Sequence, residues 1–597
     1  MKHRMILGTL ALLFCLLACS PAGVVRTGDP ELLNVRYEPN GAGSEAVTVS
    51  VPQKHLRFNT AQGDLFLREG YTQTGWNTEP DGSGIAVGLG SRTDPQNTTL
   101  YAQWAKWSDA ALFRVENGTI VAYTGTEDCV VVPGEWNGMP IYAIGENAFQ
   151  NCSATTVILP PSLKTVAFGA FTDAAVETLY LSDNLQSISD YSFRGCDQMK
   201  TLHINAATPP VYSGSYYATF ADKYDRLLSL AEQPKIVLFS GSSARFGYDS
   251  AAIDKAFPQY EVVNMGVFAY TNALPQLELI RQAMRPRDVL LLSPELDAAK
   301  RQFCTTNALD APFFNLIEAD YDLLAGLPLD DFELVFSSFS EYLSVKHRME
   351  PRSYADSPAE YDEDGAPVLS PSYNAYGDYI VDRPNADSDA PLYDLPVPYT
   401  ASYYRKDLYI DPLNSEIARF SDSGVTVYVT YSPRNRLAVS EDSTETAIKD
   451  LDRYFRTYLS APVISDIFDS LVDGKYLNGT DNHLSTEGVQ LRTSAVIRDL
   501  KAQMVLEGLL PPEASPCPVI PFAWWGILIG TGYGLAALLV LLGRLVKRWP
   551  LLQHLAGVVW AATTVFALVV RAKPSVLLLT VLCMLLLLTV GKRGERA

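Results

Sequence analysis

Two short stretches of this 597-residue chain carry residue types suited to nucleophilic catalysis. SGSSARFGYDS begins at Ser240 behind the apolar run IVLF, and TDNHLSTEG covers 480–488. A strand that enters a tight glycine-containing turn before a helix presents a serine hydroxyl, and the first amides of that helix face an incoming oxyanion. The serine then needs a base, usually histidine held by a third group. Among six histidines, only His483 follows an acidic residue in a loop-like setting. Asp481, two positions earlier, is placed to orient its imidazole. A GSS turn alone is an ordinary loop, and Asp-x-His alone is an ordinary surface sequence. Their order, Ser…Asp-x-His at opposite ends of one segment, points to a serine-dependent site.

The surrounding pattern supplies elements to hold these residues. Tyr224–Glu232 reads as an amphipathic helix, Lys235–Phe239 as a buried strand, and Tyr260–Asn264 as a second strand ending in NMG. Leu274–Met284 is a predicted helix; Asp288–Ser293 and Val425–Tyr431 are predicted strands. Such alternation over residues 216–508 argues for an α/β domain with a helix-wrapped parallel sheet, its function at the carboxyl ends of the strands. Residues 351–400 hold eight prolines, seven tyrosines and eight aspartates with little periodicity, and read as a long, partly ordered inserted loop.

IVLFSGSSARFGYDS, VVNMGVFAYTN and TDNHLSTEG resemble the first, second and last sequence blocks of the SGNH/GDSL hydrolase superfamily. The resemblance implies a flavodoxin-like fold with Ser243 as nucleophile and Asp481 and His483 as its partners. It places the Ser243 amide and Gly266 in the oxyanion hole, with Ser242 standing where the family has Asp and Asn264 lining the site. Two departures stand out. Where the family has an oxyanion Asn, this chain has Glu295, in VLLLSPELD; a carboxylate there repels an oxyanion, so it points away, binds a donor or marks a changed reaction. The last block is Asp-x-His rather than Asp-x-x-His, as in the branch resembling alginate-type O-acetyltransferases. The implied activity is hydrolysis or transfer of an acyl ester on a cell-surface glycan, with no metal or organic cofactor. The alternative is an SGNH-like domain without catalysis in a surface adhesion or scaffold protein.

Two modules precede this domain. Residues 31–106 contain YEPNG, LREGYTQTGWNTEPDGSG and NTTLYAQW, which resemble the Listeria–Bacteroides repeat, a small β-grasp-like surface module. In residues 109–215, IGENAFQNC, VAFGAFTDA and ISDYSFRGC place Phe149, Phe171 and Phe193 at intervals of 22. That period predicts a leucine-rich-repeat solenoid, and the phrasing resembles BspA-type repeats. Three or four such repeats are marginal alone, which predicts capping by neighbours. Cys152 and Cys196 then fill the core rather than forming a redox pair, and protein partners are expected through the repeats.

The ends predict export and anchoring. Lys2 and Arg4 lead an apolar stretch closing in LLAC, which resembles a bacterial lipobox with Cys19 as the lipidated residue. Near the other end, 514–543 has no charged side chain, and 521–542 would rise about 33 Å as a helix, enough for a span. Further spans are predicted at 550–570 and 574–590. The last 82 residues hold eight basic groups and one acid, and the first 19 hold two basic groups. With a net charge of −20 for the whole chain, this leaves −29 on residues 20–515. A body this acidic repels phosphate polymers, which argues against nucleic acid as a partner. Basic clusters after the first and third spans put residues 20–515 outside a bacterial cell membrane. Replacing Cys19 with Ala is expected to abolish metabolic lipid labelling; a labelled variant would refute the lipobox.

Overall fold

The computed structural model describes residues 32–52, 56–212, 217, 219–297, 303, 309–329, 331–349, 360–361, 367–368, 373–392, 395–511, 531–536, 538–539, 542 and 550–569. Cys19, His55, Cys304, Cys517, Cys583, the signal segment and the third expected span lie outside them, as does most of the first. The chain divides into two units, Met1–Gln503 and Met504–Ala597.

The first unit opens with a five-stranded sheet. Its spatial order is Val47–Pro52, Leu32–Glu38, Thr99–Lys106, Tyr71–Asn77, Ala86–Val87, with the second and third strands parallel. Trp76 sits at its centre against Tyr37, with ring centroids 4.7 Å apart. No helix occurs among the described residues of this module.

A solenoid follows, as the 22-residue period predicts, and it carries two parallel ladders. One runs through Thr119–Tyr123, Ala143–Ile144, Thr165–Val166 and Ser187–Ile188. The other runs through Cys129–Val131, Thr156–Ile158, Thr178–Ser182 and Thr201–Asn205. The 22-residue spacing stacks equivalent phenylalanines: Phe149 on Phe171 at 4.7 Å and Phe171 on Phe193 at 4.8 Å. Cys152 and Cys196 are buried free thiols.

The α/β body carries four parallel strands: β1 (Lys235–Phe239), β2 (Glu261–Asn264), β3 (Val289–Leu292) and β4 (Thr426–Val429). Their spatial order is β2-β1-β3-β4, and a parallel bridge from Val429 to Val463 continues the sheet beyond β4. Every residue of β1 and β3 is buried, as expected for a sheet covered on both faces. A doubly wound order of this kind opens a crevice at the carboxyl ends of the strands.

The body also closes the solenoid. Phe336, on the helix Phe332–Lys346, stacks on Phe193 at 4.3 Å and extends the phenylalanine ladder by one ring. From the same helix, buried Lys346 reaches Asp183 of the solenoid at 2.7 Å and Glu318 of the body at 2.9 Å. The small sheet is tied in by charge: Arg92 meets Asp225 and Asp222, both at 2.7 Å, and Arg57 meets Asp320 at 3.0 Å.

In the second unit a helix forms over Pro550–Val569, and Tyr533 Oη lies 3.2 Å from Thr564 Oγ1. Among the described residues no helix is long and apolar enough to cross a membrane.

Phe336→Ala removes the terminal ring and is expected to cost about 3–5 kcal/mol, the usual range for a buried Phe truncation. Lys346→Ala strands two buried carboxylates, for which about 3–5 kcal/mol is also typical. Urea denaturation of the full-length protein measures both, and a loss under about 1 kcal/mol at either position would contradict the capping role.

Candidate functional site

β1 delivers the chain into Ser240-Gly241 and then into a one-turn helix, Ser242–Arg245. Gly241 is required by close approach: a Cβ there would lie 2.6 Å from Ala269 Cα and 2.8 Å from Glu295 Oε1. Successive helical residues point about 100° apart, so the two serines of the turn face different surroundings. Ser242 Oγ lies 2.8 Å from His483 Nε2. Ser243 is fully buried, and its hydroxyl lies 3.0 Å from Ser240 Oγ and 3.2 Å from Ser432 Oγ. The hydroxyl on the imidazole therefore belongs to Ser242, not to the Ser243 that motif alignment selects.

The two expected oxyanion amides are both occupied. Ser243 N–H donates to Glu295 Oε1 at 2.7 Å, so this carboxylate binds a donor within the turn. Gly266 N–H donates to Asn264 Oδ1 at 3.0 Å. Asn264 is a tether: its Nδ2 donates to Ala244 O at 3.0 Å and to Asp378 Oδ1 at 2.9 Å, fastening NMG to the serine turn and the insertion. Gly266 is constrained by packing, since a Cβ would lie 2.6 Å from both Ala244 Cβ and Arg245 N.

Asp481 also departs from its expected place. Within the turn, Thr480 Oγ1 accepts the His483 amide at 2.8 Å, while the buried Asp481 carboxylate faces inward. It accepts Leu392 N–H at 3.1 Å and Asn435 Nδ2 at 3.1 Å. Among the described residues no carboxylate hydrogen-bonds the His483 ring. The ring packs instead against Phe246, with centroids 4.4 Å apart.

The charges nearest the imidazole are positive. Burial, followed by the Arg383 and Arg245 guanidinium groups, pushes the His483 pKa down to about 4. Arg383 is held by carbonyls, donating to Leu484 O at 2.7 Å and Phe246 O at 3.1 Å. Lys223, fully buried, donates to Gly266 O, and burial together with the Arg245 charge lowers its pKa well below the ordinary value. Asp378 and Arg383 come from the insertion, which thus forms part of the site. Its composition signalled a cover but gave no pattern to mark these residues. Ser432 and Arg245 had no sequence signal of their own. Among the described residues no cluster of three or more His, Cys, Asp or Glu is arranged to hold a metal.

Comparison with known proteins bears on the repeats. The family model "BspA type Leucine rich repeat region", in 6 copies, matches residues 138–222, so the chain contains BspA-type leucine-rich repeats. No curated protein matches the chain. A solved leucine-rich-repeat protein of T. pallidum, TpLRR, is similar at 16% identity over 33% of this chain and 78% of its own, with a TM-score of 0.16.

A neutral His483 at pH 7 has a consequence for acid stability. In the unfolded chain the ring takes its proton near 6.5, but in the fold only near 4. The unfolded state thus binds the proton first, and acidification from 6.5 toward 4 costs stability that is fully present above 6.5. Histidine-selective NMR of the full-length protein is expected to show one ring, absent in His483→Gln, that titrates well below pH 6. A midpoint near 6.5 would mean that neither burial nor the charges of Arg383 and Arg245 act on it.

Proposed function

We propose that residues 216–508 form an extracytoplasmic, serine-dependent enzyme that hydrolyses or transfers acyl esters on cell-surface glycans, with Ser242 as nucleophile and His483 as base. The observation that carries this reading is the 2.8 Å contact between Ser242 Oγ and His483 Nε2 at the carboxyl end of β1. The SGNH/GDSL resemblance of the three blocks supports the same chemistry.

Ser242 Oγ attacks the acyl carbonyl while His483 Nε2 takes its proton. The tetrahedral intermediate then collapses, and the departing sugar hydroxyl recovers that proton from the imidazolium. Water or a second hydroxyl, deprotonated by the same nitrogen, then attacks the acyl carbonyl, and as the bond to Ser242 Oγ breaks that oxygen takes the proton back from the imidazolium. The oxyanion meets the amide of Ser242 itself, which as the first residue of a helix has no intrahelical acceptor. The positive charges of Arg245 and Arg383 disfavour an imidazolium and favour an oxyanion, so they act in opposite directions on the two halves of the step. Slow turnover of simple esters follows, because no carboxylate among the described residues supports the protonated ring.

A second reading is a surface adhesion or scaffold protein without catalysis. It is favoured by the engagement of the Ser243 and Gly266 amides and by the BspA-type repeats, a class of module suited to protein partners. Either role fits a lipoprotein anchored through Cys19 and C-terminal helices, with residues 20–515 outside the cell membrane.

Ser242→Ala and His483→Ala are each expected to lower turnover of an acylated glycan at least about a thousandfold, since nucleophile and base act as one unit. Ser243→Ala is expected to lose less than about tenfold, its hydroxyl being off the imidazole. Fluorophosphonate labelling followed by peptide mapping locates the reactive serine. Equal labelling and turnover in wild type and Ser242→Ala would leave the scaffold reading standing.

A further inference from the structure

Two buried arginines beside the serine turn have no counter-ion among the described residues. Arg434 is 5% exposed and Arg492 is 9% exposed, and neither forms an ion pair among the described residues. The Nε of each is buried without a hydrogen-bond partner. A buried guanidinium ordinarily recovers its lost hydration through a carboxylate or a full set of acceptors. Arg492 has one acceptor, Tyr248 Oη at 2.8 Å, and lies over the Tyr248 ring at 4.7 Å.

Their position relates them to the serine turn. Tyr248 Oη lies 3.2 Å from Ser293 Oγ, and Ser293 O accepts Ser432 Oγ–H at 2.6 Å. Ser432 lies 3.2 Å from Ser243 Oγ, and Arg434 follows it by two residues, beyond β4, in the short strand Arg434–Asn435. A Cβ on Gly247 would sit 2.1 Å from Ser243 O and 3.6 Å from Arg492 Nε, so Arg492 borders the serine turn directly. Both guanidinium charges also act on the buried Tyr399 hydroxyl, whose pKa burial raises and the two arginines pull down. The two cations thus share one neighbourhood, reached from the loop after β4 and from the helix that follows His483.

We propose that Arg434 and Arg492 form an anion subsite beside the serine turn that holds an oxyanion group, carboxylate or phosphate, borne by the acylated glycan. This rests on the esterase or transferase reading for the identity of the polymer, but not for the existence of the subsite. Guanidinium groups suit such ligands because their N–H donors match two oxygens at once. The subsite makes the substrate class an anionic surface polymer. It also supplies binding energy away from the reacting carbonyl, which a site slow on simple esters can use.

The test is calorimetric titration of the full-length protein with inorganic phosphate and, separately, with sodium glucuronate, against sodium chloride at equal ionic strength. Saturable binding of at least one probe at one site per chain is expected, and the tighter probe identifies the group as phosphate or carboxylate. Arg434→Gln and Arg492→Gln are each expected to weaken it at least about tenfold, and Arg434→Lys less, since the charge stays. Wild-type protein that binds neither probe saturably overturns the subsite, whatever the variants do. Binding that both Gln variants leave intact places the anion elsewhere and overturns it too. Fluorophosphonate labelling of the same preparation separates the two proposals. Labelled protein that binds neither anion refutes the subsite alone, and unlabelled protein that binds one refutes the esterase reading alone.

Discussion

A short solenoid has an end-wall problem, and its solution organises the first unit. Each coil buries its face only against the next, so the last coil would expose a phenylalanine ring and a row of unpaired strand groups. Here Phe336 takes the place of the missing coil's ring, and Lys346 neutralises Asp183 from the same helix. That helix is also packed into the α/β body, where Tyr342 on it hydrogen-bonds Glu318 at 3.0 Å and Tyr321 at 2.6 Å. The buried apolar cluster consequently runs unbroken from Phe113 in the solenoid to Ile467 in the body. The small sheet keeps a separate core and is joined to the body by ions: Arg57 and Arg92 against Asp222, Asp225 and Asp320.

The body carries a charge inversion of local scale. Residues 20–515 bear −29 in total, yet the groups gathered beneath the serine turn are Lys223, Arg245, Arg383, Arg434 and Arg492. The carboxylates set among them are spent on neutral partners: Asp378 on Ser250, Asn264 and Asn374, Glu295 on the Ser243 amide, and Asp481 on Asn435 and Leu392. In a region of low dielectric these charges are felt far more strongly than surface charges of the same number. Burial first, and then Arg383 and Arg245 among these charges, keep the imidazole neutral.

Much of this was legible in the residues. Lys235–Phe239 forms a strand over the predicted bounds, and the other three predicted strands and the helix at 273–283 differ by one or two residues, because long apolar runs and alternating segments leave little choice of element. The phenylalanine spacing of 22 likewise translated into stacked rings. The finer geometry was not legible. Ser242 and Ser243 are adjacent and chemically identical, and only the phase of a four-residue helix decides which one meets His483. Asp481 lies close to His483 in sequence, but its carboxylate is claimed by Asn435 and Leu392, partners 46 and 89 residues away. The insertion gave no periodic signal because Asp378 and Arg383 hold irregular backbone rather than an element.

The cap also bears on how such an array can change length. Gene duplication adds coils wherever a unit joins a like unit, and here Phe149 and Phe171 meet neighbours of their own kind. Phe193 meets Phe336, and Asp183 meets Lys346, so the last coil is matched to a surface that is not a repeat. Growth or shrinkage by whole 22-residue steps is closed downstream of that coil, and upstream it is opposed by the ion pairs that hold the small sheet to the body. The array is thus held at a fixed length between two junctions, one of stacked rings and one of ion pairs, both made on the α/β body.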